Sequence, residues 1–221
     1  MPTPRAILFD LDGTLADTFP LIVASWNAAV GPVTGRTYTA SEVISRFGVP
    51  DSAMICRELP EHAQAQAVEV YHTFYEANHG MVEVFAGVPE LLASLRKLHL
   101  PLGLMTGKGR RAAAITLRML GWDTLFGSVV TGDETPKQKP APDGLFMVSE
   151  QLGVSPKDCI WIGDSPSDMK AGKAAGMFTI AAGWHEVYKG RIAPLNPDFI
   201  AQSPSDLASL LTQSTCNGDL G

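Results

Sequence analysis

Short apolar runs alternate with amphipathic stretches over most of the chain, and this alternation predicts the fold. The strand candidates are "AILF" (6–9), "LPLGLMT" (100–106), "GSVVTG" (127–132), "DCIWIGD" (158–164), "MFTIAAG" (177–183) and the weaker "PDFIA" (197–201). Helix-like segments lie between them at 88–98, 109–120, 143–152 and 166–175. Strands that alternate with helices indicate a parallel sheet with helices on both faces. We therefore expect an α/β fold.

Residues 16–84 have a different pattern. The stretches "TFPLIVASWNAAV", "TASEVISRF" and "EHAQAQAVEVYHTFYEANHG" have helical patterns, and no strand-like run separates them. We predict that 16–84 form an inserted helical cap and that 1–15 and 85–212 form the sheet-containing core. The last residues, 213–221, are predicted to be a loose tail.

Composition and charge narrow the class of protein. The 221 residues are 45% hydrophobic and 18% charged, as is typical of a globular chain. A net charge of −6 argues mildly against a nucleic-acid or anionic-membrane partner, and no apolar run is long enough to span a membrane. Cys56, Cys159 and Cys216 are far apart and lack a Cys-x-x-Cys pattern. We interpret them as reduced thiols of a cytoplasmic protein without a zinc site.

Polar side chains follow several of the predicted strands. They are Asp10, Asp12, Thr106, Asp164 and Asp168, with Lys139 in the Pro-rich turn "PKQKPAPD". Ligands bind beyond the carboxyl ends of strands in an open parallel sheet, so these groups are expected to converge there. Each motif alone could be a turn, a helix start or a solvated lysine. The prediction of a site rests on their occurring together.

Four carboxylates and one lysine leave an excess of negative charge at this edge. Oxygen ligands without a nearby His or Cys suit a hard cation, and Mg2+ is the natural choice. The predicted metal ligands are Asp10, Asp12 and Asp164. Asp168 is expected to bind the metal through water or to orient Lys139.

The same residues predict phosphoryl transfer. Asp10, fixed at a strand end, is the candidate nucleophile, and Asp12 is the candidate general acid and base. The Thr106 hydroxyl, the Gly107 amide and the Lys139 ammonium can hold the phosphoryl oxygens.

In this order, the motifs "DLDGT" (10–14), "MTGK" (105–108), "KPAPD" (139–143) and "GDSPSD" (163–168) resemble those of the haloacid dehalogenase superfamily. The chain looks most like its phosphoglycolate phosphatase and beta-phosphoglucomutase branch. The resemblance covers nearly the whole chain, and implies a Rossmann-like core with an inserted cap, Mg2+ and an aspartyl-phosphate intermediate. It also implies that the backbone carbonyl of Asp12 binds the metal. Many relatives carry Asn or Ser where this chain has Gly107.

We therefore expect a Mg2+-dependent phosphatase, a phosphoric monoester hydrolase of a small phosphorylated metabolite. Phosphoglycolate is the leading substrate by the family resemblance alone, and sugar phosphates, nucleotides and pyrophosphate stay open. A phosphomutase that uses the same residues is one alternative, and a non-catalytic phosphometabolite-binding protein is another. No nucleic-acid or membrane partner is expected, and the protein is expected to be a monomer or homodimer. Residues 16–84 contain no lysine, which argues against carbon–phosphorus cleavage through a cap Schiff base.

The cap stretch "SRFGVP" (45–50) is the candidate specificity loop. Arg46 could bind an anionic substrate group, with Gly48 in the turn, although Arg46 could equally be a helix-end residue. His72 and His79 are expected to be surface or packing residues, and His185 a loop residue.

Overall fold

A six-stranded parallel sheet forms the centre of the computed structural model, which describes residues 3–188 and 190–216, with side chains for 3–187 and 190–211. The strands are β1 (Ala6–Phe9), β2 (Ala16–Asp17), β3 (Glu83–Val84), β4 (Leu102–Met105), β5 (Ser128–Val130), β6 (Cys159–Gly163), β7 (Phe178–Ala182) and β8 (Phe199–Ala201). The sheet order is β5-β4-β1-β6-β7-β8, and every neighbouring pair in it is parallel.

Helices cover both faces of this sheet. They are α5 (Val88–Lys97), α6 (Arg110–Met119), α7 (Asp143–Gln151), α8 (Pro166–Ala174) and α9 (Pro204–Cys216). Alternate residues of β1 belong to different clusters: Ile7 and Phe9 pack with leucines of α5 and α9, whereas Leu8 packs with residues of α7 and α8. Because both faces of β1 are buried, its sequence is continuously apolar. The predicted α/β fold, with an inserted helical segment, is confirmed.

The order of the strands creates a crevice beside β1. The chain passes from β1 to β4 and β5 on one side, then crosses to β6, β7 and β8 on the other. Such a reversal leaves a gap outside the carboxyl ends of the central strands, where ligands bind in open α/β sheets. The carboxyl ends of β1, β4 and β6 meet there.

The inserted segment contains the helices α1 (Phe19–Thr34), α2 (Ala40–Ile44), α3 (Asp51–Glu58) and α4 (Glu61–Ala77). The strands β2 and β3 pair antiparallel at its base, which the sequence did not predict because two residues are too short to show a period. Its apolar cluster also includes Ala112 and Ile115 of α6, so its packing is continuous with the core. The domain boundaries predicted above stay predictions.

Helix α9 continues to Cys216 and therefore covers residues 213–216 of the predicted tail. Its first turn begins at Pro204, and Leu207 and Leu211 pack into the core beside α5. Residues 217–221 of that tail lie outside the described part of the chain. Among the described helices, none has both the length and the apolar character needed to cross a membrane.

Candidate active site

Three buried carboxylates converge in the crevice beside β1. Asp10 follows β1 directly, Asp164 follows β6, and Asp168 lies in the first turn of α8. One oxygen from each lies within 4.8 Å of the others, and the residues are 5%, 1% and 0% exposed. We call Asp10, Asp164 and Asp168 the acidic centre.

Lys139 is the cation in contact with the acidic centre. Its Nζ lies 2.8 Å from Asp10 Oδ1 and 2.7 Å from Asp168 Oδ1. Burial disfavours its charged form, but the charges of Asp10 and Asp168 outweigh burial and raise the pKa of Lys139. The lysine is therefore held as a cation between two carboxylates.

One lysine does not balance three carboxylates. Burial, opposed by Lys139 and reinforced by the neighbouring acids, raises the pKa of Asp10 well above its ordinary value. Burial also raises the pKa of Asp164 to about 6, although the hydrogen bond with His185 acts in the opposite direction. The carboxylates are thus costly to hold ionised together without a further positive charge.

The acidic centre fits a hard divalent cation. Its donors are all carboxylate oxygens, the ligand type that Mg2+ prefers. Asp168 Oδ1 is buried and receives no hydrogen bond of acceptable geometry, although Lys139 is close to it. A buried carboxylate oxygen without a hydrogen-bond donor is suited to bind a metal ion. The side chains of Asp10, Asp164 and Asp168 are therefore the candidate metal ligands.

The Asp12 carboxylate lies outside the acidic centre. Its Oδ1 accepts a hydrogen bond from Thr18 Oγ1 and lies 3.0 Å from Lys108 Nζ, and its Oδ2 lies 3.5 Å from Thr106 Oγ1. The predicted metal-ligating side chain of Asp12 is thus directed to other partners. Asp12 nevertheless lines the cavity that opens beside the acidic centre.

Gly13 is required by the approach of Asp164. Its φ is +82°, and a Cβ atom there would lie 2.1 Å from Asp164 Oδ2. A side chain at this position would therefore displace a carboxylate of the acidic centre.

A cavity of about 750 Å³, including its open mouth, connects these groups with the helical segment. Its lining on the core side includes Asp10, Asp12, Gly107, Lys108, Lys139 and Asp164. Its lining on the cap side is mainly apolar and includes Phe19, Ile22, Phe47, Val49, Met54 and Tyr71, with Gly48 and Asp51. Charged groups therefore line one side of the cavity, and mainly apolar side chains line the other.

The structure brings Gly48 to the cavity but does not bring Arg46 there. The Arg46 guanidinium forms a two-point contact with Glu58, at 3.0 Å and 3.2 Å, and lies over the rings of Trp26 and Tyr38. A donor committed to a carboxylate of its own segment is not free to meet a substrate. The observed position of Arg46 agrees better with the helix-end alternative, because its guanidinium also donates to the backbone carbonyl of Glu42.

Sequence reasoning missed four side chains around the cavity. The motif "MTGK" includes Lys108 but assigns it no role, and no sequence pattern indicates a role for Asp51. His185 lies in a loop as expected, but it is only 7% exposed, and its Nδ1 lies 3.2 Å from Asp164 Oδ2. His72 is a packing residue as expected, but its ring is also paired with Asp51. Only Lys108 carried a signal, because it directly follows the predicted phosphate-binding residues.

Comparisons with known proteins agree with this arrangement. A family model described as haloacid dehalogenase-like hydrolase matches residues 7–182. The phosphoglycolate phosphatase of Xylella fastidiosa is 35% identical over 185 residues, which cover 82% of this chain and 81% of that protein. Pyrophosphatase PpaX of Anoxybacillus flavithermus is 31% identical over 208 residues, which cover 94% and 96%. The solved structure of a predicted phosphoglycolate phosphatase from Haemophilus somnus matches with a TM-score of 0.85 and 25% identity, over 95% of this chain and 99% of that one.

Proposed function

The chain belongs to the haloacid dehalogenase-like hydrolases, and from this premise we propose that it is a Mg2+-dependent phosphatase that acts through an aspartyl-phosphate on Asp10. The family predicted from the four motifs is confirmed by the match over residues 7–182. Relatives named phosphoglycolate phosphatase and pyrophosphatase support a phosphatase activity.

The contrast between Asp10 and Asp12 is the observation that carries the proposal. Asp10 is buried in the acidic centre with Lys139, whereas Asp12 is held by Thr18, Lys108 and Thr106. Two carboxylates with different surroundings can take different roles in one reaction. This difference supports a nucleophile at Asp10 and an acid–base group at Asp12.

In the proposed reaction, a carboxylate oxygen of Asp10 attacks the phosphorus atom, and the bond from phosphorus to the leaving oxygen breaks. Asp12 gives a proton to that oxygen. Water then attacks the aspartyl-phosphate, Asp12 takes the proton from the water, and inorganic phosphate leaves with the Asp10 carboxylate restored.

The other residues position the phosphoryl group. Lys139, already beside Asp10, is suited to the charge that develops on the phosphoryl oxygens, and Thr106 and Gly107 can donate hydrogen bonds to them. Asp10, Asp164 and Asp168 would hold Mg2+, with the Asp12 carbonyl that the family resemblance implies. When bound, the ion would neutralise charge on the phosphoryl group and the carboxylates.

The cap side of the cavity supports a small phosphomonoester as the substrate. Its lining is mainly apolar, and the helices above it would exclude bulk water during transfer. A phosphoglycolate-like compound or a sugar phosphate is proposed. A cytoplasmic location and a monomeric or homodimeric state, without nucleic-acid or membrane partners, stay predictions.

The test is phosphate release from a panel of phosphorylated metabolites, with and without Mg2+. Asp10→Asn is the blank, and Asp123→Asn, which changes an exposed carboxylate outside the site, is the matched control. Metal-dependent phosphate release that is lost only in Asp10→Asn is the expected result. Formation of an isomer without phosphate would indicate the mutase. A protein that binds these compounds but never phosphorylates Asp10 would be the non-catalytic alternative.

A further inference from the structure

Asp51 connects the helical segment to the core at the edge of the cavity. It is the first residue of α3, is 7% exposed and lines the cavity. Its Oδ1 accepts a hydrogen bond of 2.8 Å from the backbone N–H of Gly109, the residue before α6. A side chain of the cap thus holds the end of the core loop 106–109.

The second oxygen of Asp51 is paired with His72 of α4. Asp51 Oδ2 lies 2.8 Å from His72 Nε2, and His72 Nδ1 lies 2.9 Å from the carbonyl oxygen of Val68. A carbonyl and a carboxylate are both acceptors, so each ring nitrogen of His72 faces an acceptor. His72 is only 2% exposed, so both contacts are shielded from water.

The electrostatics of Asp51 agree with this geometry. Burial would raise the pKa of Asp51, but the hydrogen bond from His72, the charge of Lys108 and the Gly109 amide together lower it. The carboxylate is therefore ionised in the folded protein at neutral pH, and both oxygens have donors.

The loop 106–109 presents reacting groups to the cavity. Its Gly107 lines the cavity, and its Lys108 Nζ lies 3.0 Å from Asp12 Oδ1. The loop is also held on the core side, because the Lys108 amide donates to Thr106 Oγ1 and the Lys108 carbonyl accepts from the Gly132 amide. From the cap, Asp51 restrains the end of the loop, and the centre of the Tyr75 ring lies 5.1 Å from Lys108 Nζ.

We propose that Asp51 and His72 are positioning residues, which hold the loop 106–109 in its reactive geometry when α3 and α4 rest on the core. This inference rests on the proposed phosphatase function. If α3 moves away, the Gly109 amide loses its acceptor, and Gly107 and Lys108 lose a fixed position. Seating of the cap and assembly of the site then become one event.

A second contact between cap and core, from α4 to α6, provides a matched control. Arg118 of α6 and Glu76 of α4 also form an ion pair between core and cap, at 2.6 Å, but both side chains are more than half exposed. Exposed pairs contribute little, and this one does not contact the loop. Glu76→Gln therefore removes a cap–core contact without disturbing loop 106–109.

The experiment compares Asp51→Ala, Asp51→Asn, His72→Gln and Glu76→Gln in two readouts. The first is kcat and KM for the best substrate of the panel, per folded molecule. We expect Asp51→Ala to lower kcat about 100-fold and KM to change less than about threefold, because misplaced donors affect the transition state. Asp51→Asn retains an acceptor for the Gly109 amide, so its kcat should be about tenfold higher than that of Asp51→Ala. The kcat of His72→Gln, which keeps a side-chain donor, should lie near that of Asp51→Asn, and the kcat of Glu76→Gln should lie within about twofold of the parent value.

The second readout is hydrogen exchange at the Gly109 amide, which does not depend on catalysis. Exchange should be faster in Asp51→Ala than in the parent protein and unchanged in Glu76→Gln. The proposal would be overturned if Asp51→Ala had a normal kcat per folded molecule. If the alanine variant does not fold, a normal kcat in Asp51→Asn would have the same meaning. Unchanged exchange at the Gly109 amide would also overturn the proposal. If the parent protein releases no phosphate at all, the proposed function fails, and the exchange measurement still decides whether Asp51 holds the loop.

Discussion

Asp10 and Asp51 lie on opposite walls of one cavity and are almost equally buried, at 5% and 7% exposure, yet their pKa values are shifted in opposite directions. Asp10 shares Lys139 with Asp168 and faces further carboxylates. Asp51 has one donor for each of its oxygens, from His72 and from Gly109. The partners, rather than the degree of burial, therefore decide whether a buried carboxylate is stable as an anion.

The difference separates two uses of the same side chain. The carboxylates of the acidic centre repel one another, which lowers the free energy of unfolding of the metal-free protein. The same excess of negative charge favours binding of a cation, and binding restores that stability. The Asp51 pair has no such excess of charge and connects two parts of the structure. One wall is thus suited to chemistry, and the other to holding the site together.

The largest effect is expected from replacing the nucleophile. Asp10→Asn should lower phosphate release at least about 1,000-fold, because an amide oxygen does not form the acyl-phosphate. In chelator, the same variant should raise the Tm, since one of the repelling carboxylates is removed and Lys139 keeps Asp168. Asp51→Asn should lower the Tm in the same buffer, because it replaces a buried carboxylate that His72 and the Gly109 amide both contact. Both Tm changes are measured by thermal unfolding. Two changes in the same direction would contradict the contrast between Asp10 and Asp51.

A substitution at Gly13 tests how closely the acidic centre is packed. Gly13→Ala places a Cβ 2.1 Å from Asp164 Oδ2 and should lower activity about 100-fold, because a carboxylate of the acidic centre, a candidate metal ligand, is displaced. Gly121→Ala is the control, with φ +68° and no atom within 4 Å of the added Cβ. Both changes carry the cost of about 1–2 kcal/mol for a left-handed backbone, visible in urea unfolding. Comparable losses of activity in the two variants would show that backbone strain, not the Asp164 contact, is responsible.

The pH dependence of stability provides a smaller effect of defined sign. The pKa of Asp164 is raised to about 6 from 3.8, so between these values the folded protein binds more protons than the unfolded chain. Its contribution to the free energy of unfolding therefore falls as pH rises from about 4 to about 6. The free energy of unfolding of the parent protein and of Asp164→Asn is measured by urea unfolding in chelator at each pH. The difference between the two values isolates this contribution.

Saturating Mg2+ should reduce that decline, because the ion competes with protons for the carboxylates. The Asp51 carboxyl, with its lowered pKa, stabilises the fold above its ordinary pKa and loses that contribution as the pH falls further. A parent-minus-variant difference that rises between pH 4 and 6 would contradict the assignment of Asp164.

The sequence predicted the sheet and its chemistry more fully than the contacts of the cap. Asp10, Thr106 and Asp164 follow buried strands, and parallel strands necessarily bring their carboxyl ends together. The Asp51 pair has no comparable signal, because His72 lies 21 residues away and Gly109 lies 58 residues away. Contacts between elements depend on how α3 and α4 pack on α6, and the periodicity of each helix does not specify that packing.

Arg46 illustrates this limit and gives the smallest expected effect on activity. The sequence left two interpretations of Arg46 open, an anion-binding residue and a helix-end residue. In the structure, its guanidinium is engaged by Glu58 and lies over the rings of Trp26 and Tyr38. Arg46→Ala should change kcat and KM less than about twofold and lower stability by about 1 kcal/mol, because a partly exposed ion pair and its ring contacts are lost. A double-mutant cycle with Glu58→Ala, followed by urea unfolding, measures the coupling, and Arg36→Ala serves as an exposed control. If KM rises tenfold or more for anionic substrates while stability is unchanged, Arg46 must leave Glu58 and reach the substrate when it binds.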